Sequence, residues 1–149
     1  ILDLKNTDYS FIVFFSVDEN LQKSWFYILG PEMWDRIALK IKEDSIEFLH
    51  RHNGKYIRIN ANIFLKPNLY HFLAATFSKT KGMTLYLDGE IISYNYYMNE
   101  PSSYNLKFIG ASGHPDGLTG FFKGKISEIR IYKEELIAED IFGLFNLKN

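Results

Sequence analysis

The sequence predicts an all-β fold: two packed antiparallel sheets closed by one short C-terminal helix. Three observations carry this. Short apolar runs alternate with turn residues along most of the chain, the pattern of a sandwich or barrel. Aromatic residues make up 17% of the sequence, with ten Tyr and thirteen Phe, and together with many Ile this is strand-forming composition. Only near the C-terminus does the apolar period change to that of a helix.

The 149 residues are expected to form one domain, residues 1–149, with enough chain to bury a real core. A formal net charge of −1 leaves no electrostatic footprint of a nucleic-acid binder. Cysteine is absent, which removes disulfides, thiol nucleophiles and thiolate zinc sites together. No apolar run approaches the roughly 20 residues of a membrane span. The first ten residues, ILDLKNTDYS, lack the basic and apolar regions of a signal peptide. A start at Ile1 in place of Met leads us to expect an excised or processed module of a larger protein.

Ser10 to Val17, SFIVFFSV, is apolar on both parities and reads as a central strand covered on both faces. Trp25 to Gly30 follows as a second strand. From Ile37 to Asn60 the reading reaches register. Two-residue turns at Glu43-Asp44 and Asn53-Gly54 would pair Ile41 with Ile46, Leu39 with Phe48, Phe48 with Ile59, and His50 with Ile57. One face then holds Ile37, Leu39, Ile41, Ile46, Phe48, His50, Ile57 and Ile59. The other holds Lys40, Lys42, Glu47, Leu49, Arg51, Tyr56, Arg58 and Asn60, a wet face with Lys40 opposite Glu47. Tyr70 to Ser78 is another two-sided apolar strand. In MTLYLDGEIISY, Asp88-Gly89 is the turn of a hairpin in which Leu85 would face Ile92. Ile137, Ile141, Leu144 and Phe145 fall at helical spacing after early Glu139 and Asp140, predicting a helix of about two turns.

YHFLAATFS, LYLDGEII, LKFIGAS and FFKGKISEIRIYKEELIAEDIFGLF occur in that order from Tyr70 to Phe145. The set resembles the laminin-G-like, concanavalin A-like lectin/glucanase superfamily. There a Trp-His strand leads to a Tyr-x-Asp-Gly hairpin, an Ile-Gly strand and a Gly-x-Ile-x-x-x-Arg-Ile-Tyr strand closed by a helix. Tyr70 stands where the family usually has Trp, and Ile137 where it usually has a Ser or Thr helix cap. The resemblance implies a jelly-roll β-sandwich. It also implies a non-catalytic carbohydrate-binding, lectin-like module of an exported or cell-surface protein. Protein-binding, adhesion or structural modules share the fold, as do some glycosidases.

Each candidate site has an ordinary structural alternative. A glycosidase needs two carboxylates flanking the scissile bond, and the nearest cluster, KEDSIE, offers two turn residues and a lone Glu47. No enzyme is expected. His50 and His52 read as core or rim histidines, and His71 as structural. Calcium at a loop rim is implied by the resemblance. Asp18 and Asn20 in VDENLQ, and Asp116 in GASGHPDGLTG, are the candidate ligands. Sugar binding asks for an aromatic plate beside polar groups. Trp34 with Asp35 and Arg36 is the first candidate, Tyr94, Asn95 and Tyr96 the second, and His114 with Asp116 the third. The expected partner is a glycan or a protein ligand. No organic cofactor is expected.

Overall fold

The computed structural model describes residues 2–19, 24–33, 37–102 and 106–148. Among the described residues twelve strands and one helix follow one another: β1 Tyr9–Val17, β2 Phe26–Pro31, β3 Ile37–Lys42, β4 Ser45–His52, β5 Lys55–Asn62, β6 His71–Ser78, β7 Gly82–Leu87, β8 Glu90–Asn95, β9 Leu106–Ile109, β10 Ser112–His114, β11 Gly117–Thr119, β12 Gly124–Tyr132 and α1 Ala138–Lys148. They build two five-stranded antiparallel sheets, β12-β1-β6-β7-β8 and β5-β4-β3-β2-β9, with β10-β11 as a separate hairpin. The result is the jelly-roll sandwich expected, with a short C-terminal helix.

The two parities of β1 explain the layers. Tyr9, Phe11, Val13, Phe15 and Val17 enter the core between the sheets, where they meet Phe48, Leu39, Leu85 and Phe77. Ile12 and Phe14 point to the other face, where Phe72, Ala74 and Tyr86 lie beneath Ile141, Leu144 and Phe145 of α1. A strand flanked by sheet partners and buried on both faces has no room for polar alternation. Tyr70 sits just before β6, half-exposed, with its ring stacked on Phe14 at 5.0 Å.

The helix is longer than expected, eleven residues, and Ile137 lies outside its buried stripe at 44% exposure. Ile137 is the N-cap, since its carbonyl accepts the first helical bond, from the N–H of Ile141. Its side chain has no acceptor for the free amides; instead Asp140 Oδ2 accepts the N–H of Ile137 at 3.2 Å. Ile137→Ser supplies the missing cap at an exposed position. It is expected to raise stability by about 1 kcal/mol, read as a higher urea midpoint at unchanged m-value.

The β3-β4-β5 meander has the expected register throughout: Leu39↔Phe48, Ile41↔Ile46, Phe48↔Ile59 and His50↔Ile57. Asn53 (φ 47) and Gly54 (φ 82) both take the left-handed conformation that a type I′ hairpin requires. Asp88 (φ 51) and Gly89 (φ 85) do the same between β7 and β8. Asp88 also clamps β6: its carboxylate accepts the Phe72 N–H at 2.9 Å and meets His71 Nδ1 at 3.0 Å.

Two expectations are corrected here. Leu85 pairs with Ser93, not Ile92, because a β-bulge shifts the register between Leu85 and Tyr86. The extra residue, Ile92, packs at the edge of the core. Beyond the bulge the side chains exchange faces. Asn95 now stands opposite core Met83, while Tyr94 stands opposite Thr84 and is 58% exposed. The second correction concerns the outer face of the meander, which is wet only along the edge strand β5 and at the ends of β3 and β4. Lys40 and Glu47 are 5% and 3% exposed, and Ala38 and Leu49 are buried with Tyr27 in a small apolar cluster.

Candidate functional site

The outer face of β2-β3-β4-β5 is built in cross-strand rows. Tyr27, Lys40, Glu47 and Asn60 stand side by side on four strands. Lys40 Nζ lies 3.3 Å from Glu47 Oε2, and Asn60 Nδ2 donates to Glu47 Oε1 at 3.2 Å. The rings of Trp25 and Tyr27 flank the ammonium, 5.1 and 5.6 Å from it. Trp25 itself falls just before β2, not within it, and is half-buried under Lys40 and Lys42. An ion pair removed from water in this way depends on its geometry, because both charges have lost hydration.

Nearer the Asn53-Gly54 turn, the face opens. Arg51 pairs with Tyr56 across the strands, and Arg58 follows two residues along β5. Their guanidinium carbons lie 5.0 and 4.8 Å from the Tyr56 ring centre, so both make cation–π contacts with one ring. Arg51 Nη2 donates to the Gly54 carbonyl at 3.0 Å. Tyr56 is 42% exposed and the Arg58 side chain 49%. On this outer face β3 to β5 carry Lys40, Lys42, Arg51 and Arg58 against a single strand carboxylate, Glu47. The face is therefore cationic on a chain whose net charge is −1.

The β10-β11 hairpin walls this face on the β2 side. A Cβ on Gly30 would overlap the Ala111 carbonyl, one on Gly113 the Glu32 carbonyl, and one on Gly120 the Tyr27 ring. Glycine at these points lets backbone lie directly on backbone. His114 and Asp116 occupy the hairpin tip, where His114 Nδ1 accepts the Asp116 N–H at 3.2 Å and the Asp116 side chain is 92% exposed. Asp18 is exposed after β1, and its N–H donates to Lys123 O. Among the described residues no three His, Asp or Glu side chains converge to hold a metal ion. Asn20 lies outside the described residues.

The second sugar-binding candidate divides. Tyr94 and Tyr96 pack edge to face at 5.4 Å and stay 58% and 71% exposed. Asn95 faces inward, donating to Arg58 O at 3.1 Å and accepting the Tyr97 N–H at 3.0 Å. Its amide joins the edges of the two sheets and is already engaged on both atoms. Trp34, Asp35 and Arg36 lie outside the described residues.

His50 is a core residue, as the alternation predicts. The Tyr9 hydroxyl donates to Nδ1 at 2.8 Å, and Nε2–H donates to the Asn99 carbonyl at 2.6 Å. Burial lowers its pKa to about 4; the Asn99 carbonyl and Glu100 act in the opposite direction, and His52 adds to the lowering. His52 Nδ1 meets the Glu100 carbonyl at 2.7 Å, and Ser102 bonds Arg51 O and Asn53 N–H. Residues 99–102 are thus tied to the end of β4. A cleft of about 350 Å³ lined by His52, Asn53, Lys55, Ile57 and Asn99 opens beside this tie.

From alternation alone the Arg51–Tyr56–Arg58 strip reads as an ordinary solvated face. Its signal was present: the predicted register already put Tyr56 beside Arg51. The register also put Lys40 opposite Glu47; what it could not show is that this pair is buried.

A two-sheet jelly roll with an aromatic, cationic outer strip belongs to a class of folds used for ligand recognition as well as for catalysis. The chain belongs to the concanavalin A-like lectin/glucanase superfamily: its Laminin_G_3 family matches residues 2–142. Among solved structures, it is similar to the Ruminococcus gnavus IT-sialidase CBM40. That match has a TM-score of 0.78 at 11% identity, covering 95% of this chain and 84% of that one. The same module has been solved bound to alpha2,3 sialyllactose. The receptor-binding domain of the botulinum neurotoxin C/D mosaic serotype aligns with a TM-score of 0.74 at 18% identity, over 98% of this chain. The chain spans little more than a third of that receptor-binding domain, 37%. A heptameric SAP-like pentraxin from Limulus polyphemus aligns with a TM-score of 0.70 at 12% identity, covering 93% of this chain and 70% of that one. At such identities the likeness is one of fold. No curated protein sequence matches the chain. No helix among the described residues is long and apolar enough to cross a membrane.

Proposed function

We propose that this chain is a non-catalytic carbohydrate-binding module of an exported or cell-surface protein, and that it is one part of a larger polypeptide. One observation carries the reading: Tyr56 stands half-exposed on the outer face of the sheet, in cation–π contact with Arg51 and Arg58 and with Asn60 on the same face. An aromatic ring ringed by hydrogen-bond donors meets the demands of a sugar, which presents C–H faces and hydroxyls together. The CBM40 structure with sialyllactose supports the reading by analogy of fold. Catalysis is disfavoured because hydrolysis of a glycosidic bond asks for two carboxyl groups about 5–9.5 Å apart. Glu47 is the lone acid of β2 to β5 and is engaged by Lys40.

The test is a glycan array with and without EDTA. Tyr56→Ala is expected to lower binding at least about tenfold, a change of about 1.4 kcal/mol, with an unaltered melting temperature. The reading fails if no glycan binds in either condition. Loss of binding only in EDTA would bring in calcium at Asp18, Asn20 or Asp116. Trp34→Ala and Tyr96→Ala, run in parallel, report whether the loops carry the site instead.

A protein-binding or adhesion module is the second reading, and one feature favours it. Ile91, Tyr94, Tyr96, Tyr97 and Met98 are all between 48% and 71% exposed along the edge strand β8 and its exit. Contiguous apolar surface of this kind marks protein contacts.

A further inference from the structure

We infer that the Arg51–Tyr56–Arg58 cluster is a subsite for an acidic sugar, a saccharide residue bearing a carboxylate or a sulfate. This rests on the glycan-binding reading above and names the ligand class of the same site.

Charge balance is the first argument. Glu47 is shared: it pairs with Lys40 at 3.3 Å and with Arg58 at 3.7 Å, and it accepts from the Asn60 amide at 3.2 Å. Among the described residues Arg51 has no carboxylate within ion-pair distance; its contacts are the Gly54 carbonyl and the Tyr56 ring. Lys40, Arg58 and Arg51 therefore stand on one face with a single carboxylate, and the strip keeps positive charge in excess. An ordinary solvated face balances charges of both signs, and this one does not.

Preorganisation is the second. Tyr56 holds both guanidinium carbons within 5.0 Å of its ring, and the Gly54 carbonyl fixes Arg51 on the tight Asn53-Gly54 turn. Arg51 Nε is buried and makes no hydrogen bond, so the guanidinium is pinned without all its donors being used. Long side chains held in place lose little further freedom when a ligand arrives. Guanidinium donors match the paired oxygens of carboxylate and sulfate, where an ammonium would offer only a point charge. Asn60 and Asn62 lie exposed on the same face of β5 and supply amides for the hydroxyls.

Discrimination follows from desolvation. A neutral sugar that covered the strip would strip water from two cations without replacing the lost charge interaction. An acidic sugar replaces it.

The test uses three ligands on one scaffold: lactose, 3′-sialyllactose and lactose 3′-sulfate. Each is titrated into the full chain at low and high salt, with binding read by isothermal calorimetry. Either acidic ligand is expected to bind at least tenfold more tightly than lactose, with affinity falling as salt rises. Arg58→Gln and Arg51→Gln should each remove most of that advantage, and Arg58→Lys should restore only part of it. Melting curves check folding, and the Arg58→Lys protein keeps the test open if a Gln variant is unstable. If lactose binds as well as the acidic ligands, or the Arg variants bind them unchanged, the acidic subsite is overturned while the glycan reading stands. If no saccharide binds on the array or here, both fall. Binding confined to vesicles with anionic phospholipid headgroups would also overturn it.

Discussion

Glu47→Ala is expected to destabilise the protein by about 3–5 kcal/mol, the range for removing one partner of a buried ion pair. Lys40 and Glu47 are each under a tenth exposed, so the loss of the carboxylate leaves an ammonium in a site with little water to replace it. The rings of Trp25 and Tyr27 offset part of the cost through their faces, but a ring quadrupole is weaker than a full charge at 3.3 Å. Asn60 also loses its acceptor. The double replacement Lys40→Met with Glu47→Leu should recover most of the loss, since apolar residues of similar volume carry no desolvation penalty. Urea unfolding of the three variants measures this. A Glu47→Ala cost below about 1 kcal/mol, the range of a surface salt bridge, would mean that the pair is reached by water.

Acid should unfold the protein through His50. Its folded pKa is about 4, against 6.5 for the free side chain, so the unfolded chain takes up the proton first. The associated stability is fully present above pH 6.5, drains as pH falls from 6.5 to 4, and changes no further below that. At about 1.4 kcal/mol per unit, the total lost is about 3 kcal/mol. The geometry gives the reason. Neutral His50 accepts from Tyr9 and donates to Asn99, and a protonated ring can no longer accept from the Tyr9 hydroxyl. Because Asn99 lies in the segment tied to β4, loosening should begin around residues 99–102. Stability of wild type and His50→Gln compared at pH 7, 5.5 and 4.5 isolates the contribution. A difference between them that does not shrink with falling pH would show that His50 titrates normally.

The Lys40–Glu47 pair and the Arg51–Tyr56–Arg58 strip share one sheet face and divide its work. The buried pair fixes the centre of the face and holds the only acid of β2 to β5. Arg58 shares that acid at 3.7 Å while Arg51 meets only the Gly54 carbonyl and the Tyr56 ring, so the open end keeps positive charge in excess. Stability and the proposed recognition chemistry thus meet at Glu47, and Glu47→Ala should also draw Arg58 out of its present position.

What was legible in the sequence is what short-range chemistry dictates. Asn53-Gly54 and Asp88-Gly89 specify type I′ turns through their tolerance of positive φ, and the meander register follows because a slip of one residue would expose its apolar face. Doubly apolar β1 announced a strand with a layer on each side, and the spacing of Ile141, Leu144 and Phe145 announced the helix that supplies one of them. His50 among apolar neighbours was already a core histidine.

Contacts distant in sequence decided the rest. Lys40 and Glu47 look like solvent residues from their alternation, and only the rings of Trp25 and Tyr27, with the β10-β11 hairpin seated on β2, make that face an interior. The bulge at Ile92 carries no Gly or Pro marker, yet it turns Tyr94 outward and sends Asn95 across to the carbonyl of Arg58. Periodicity specifies which residues share a face. Whether that face meets water depends on what the rest of the chain lays over it, and that is settled by packing alone.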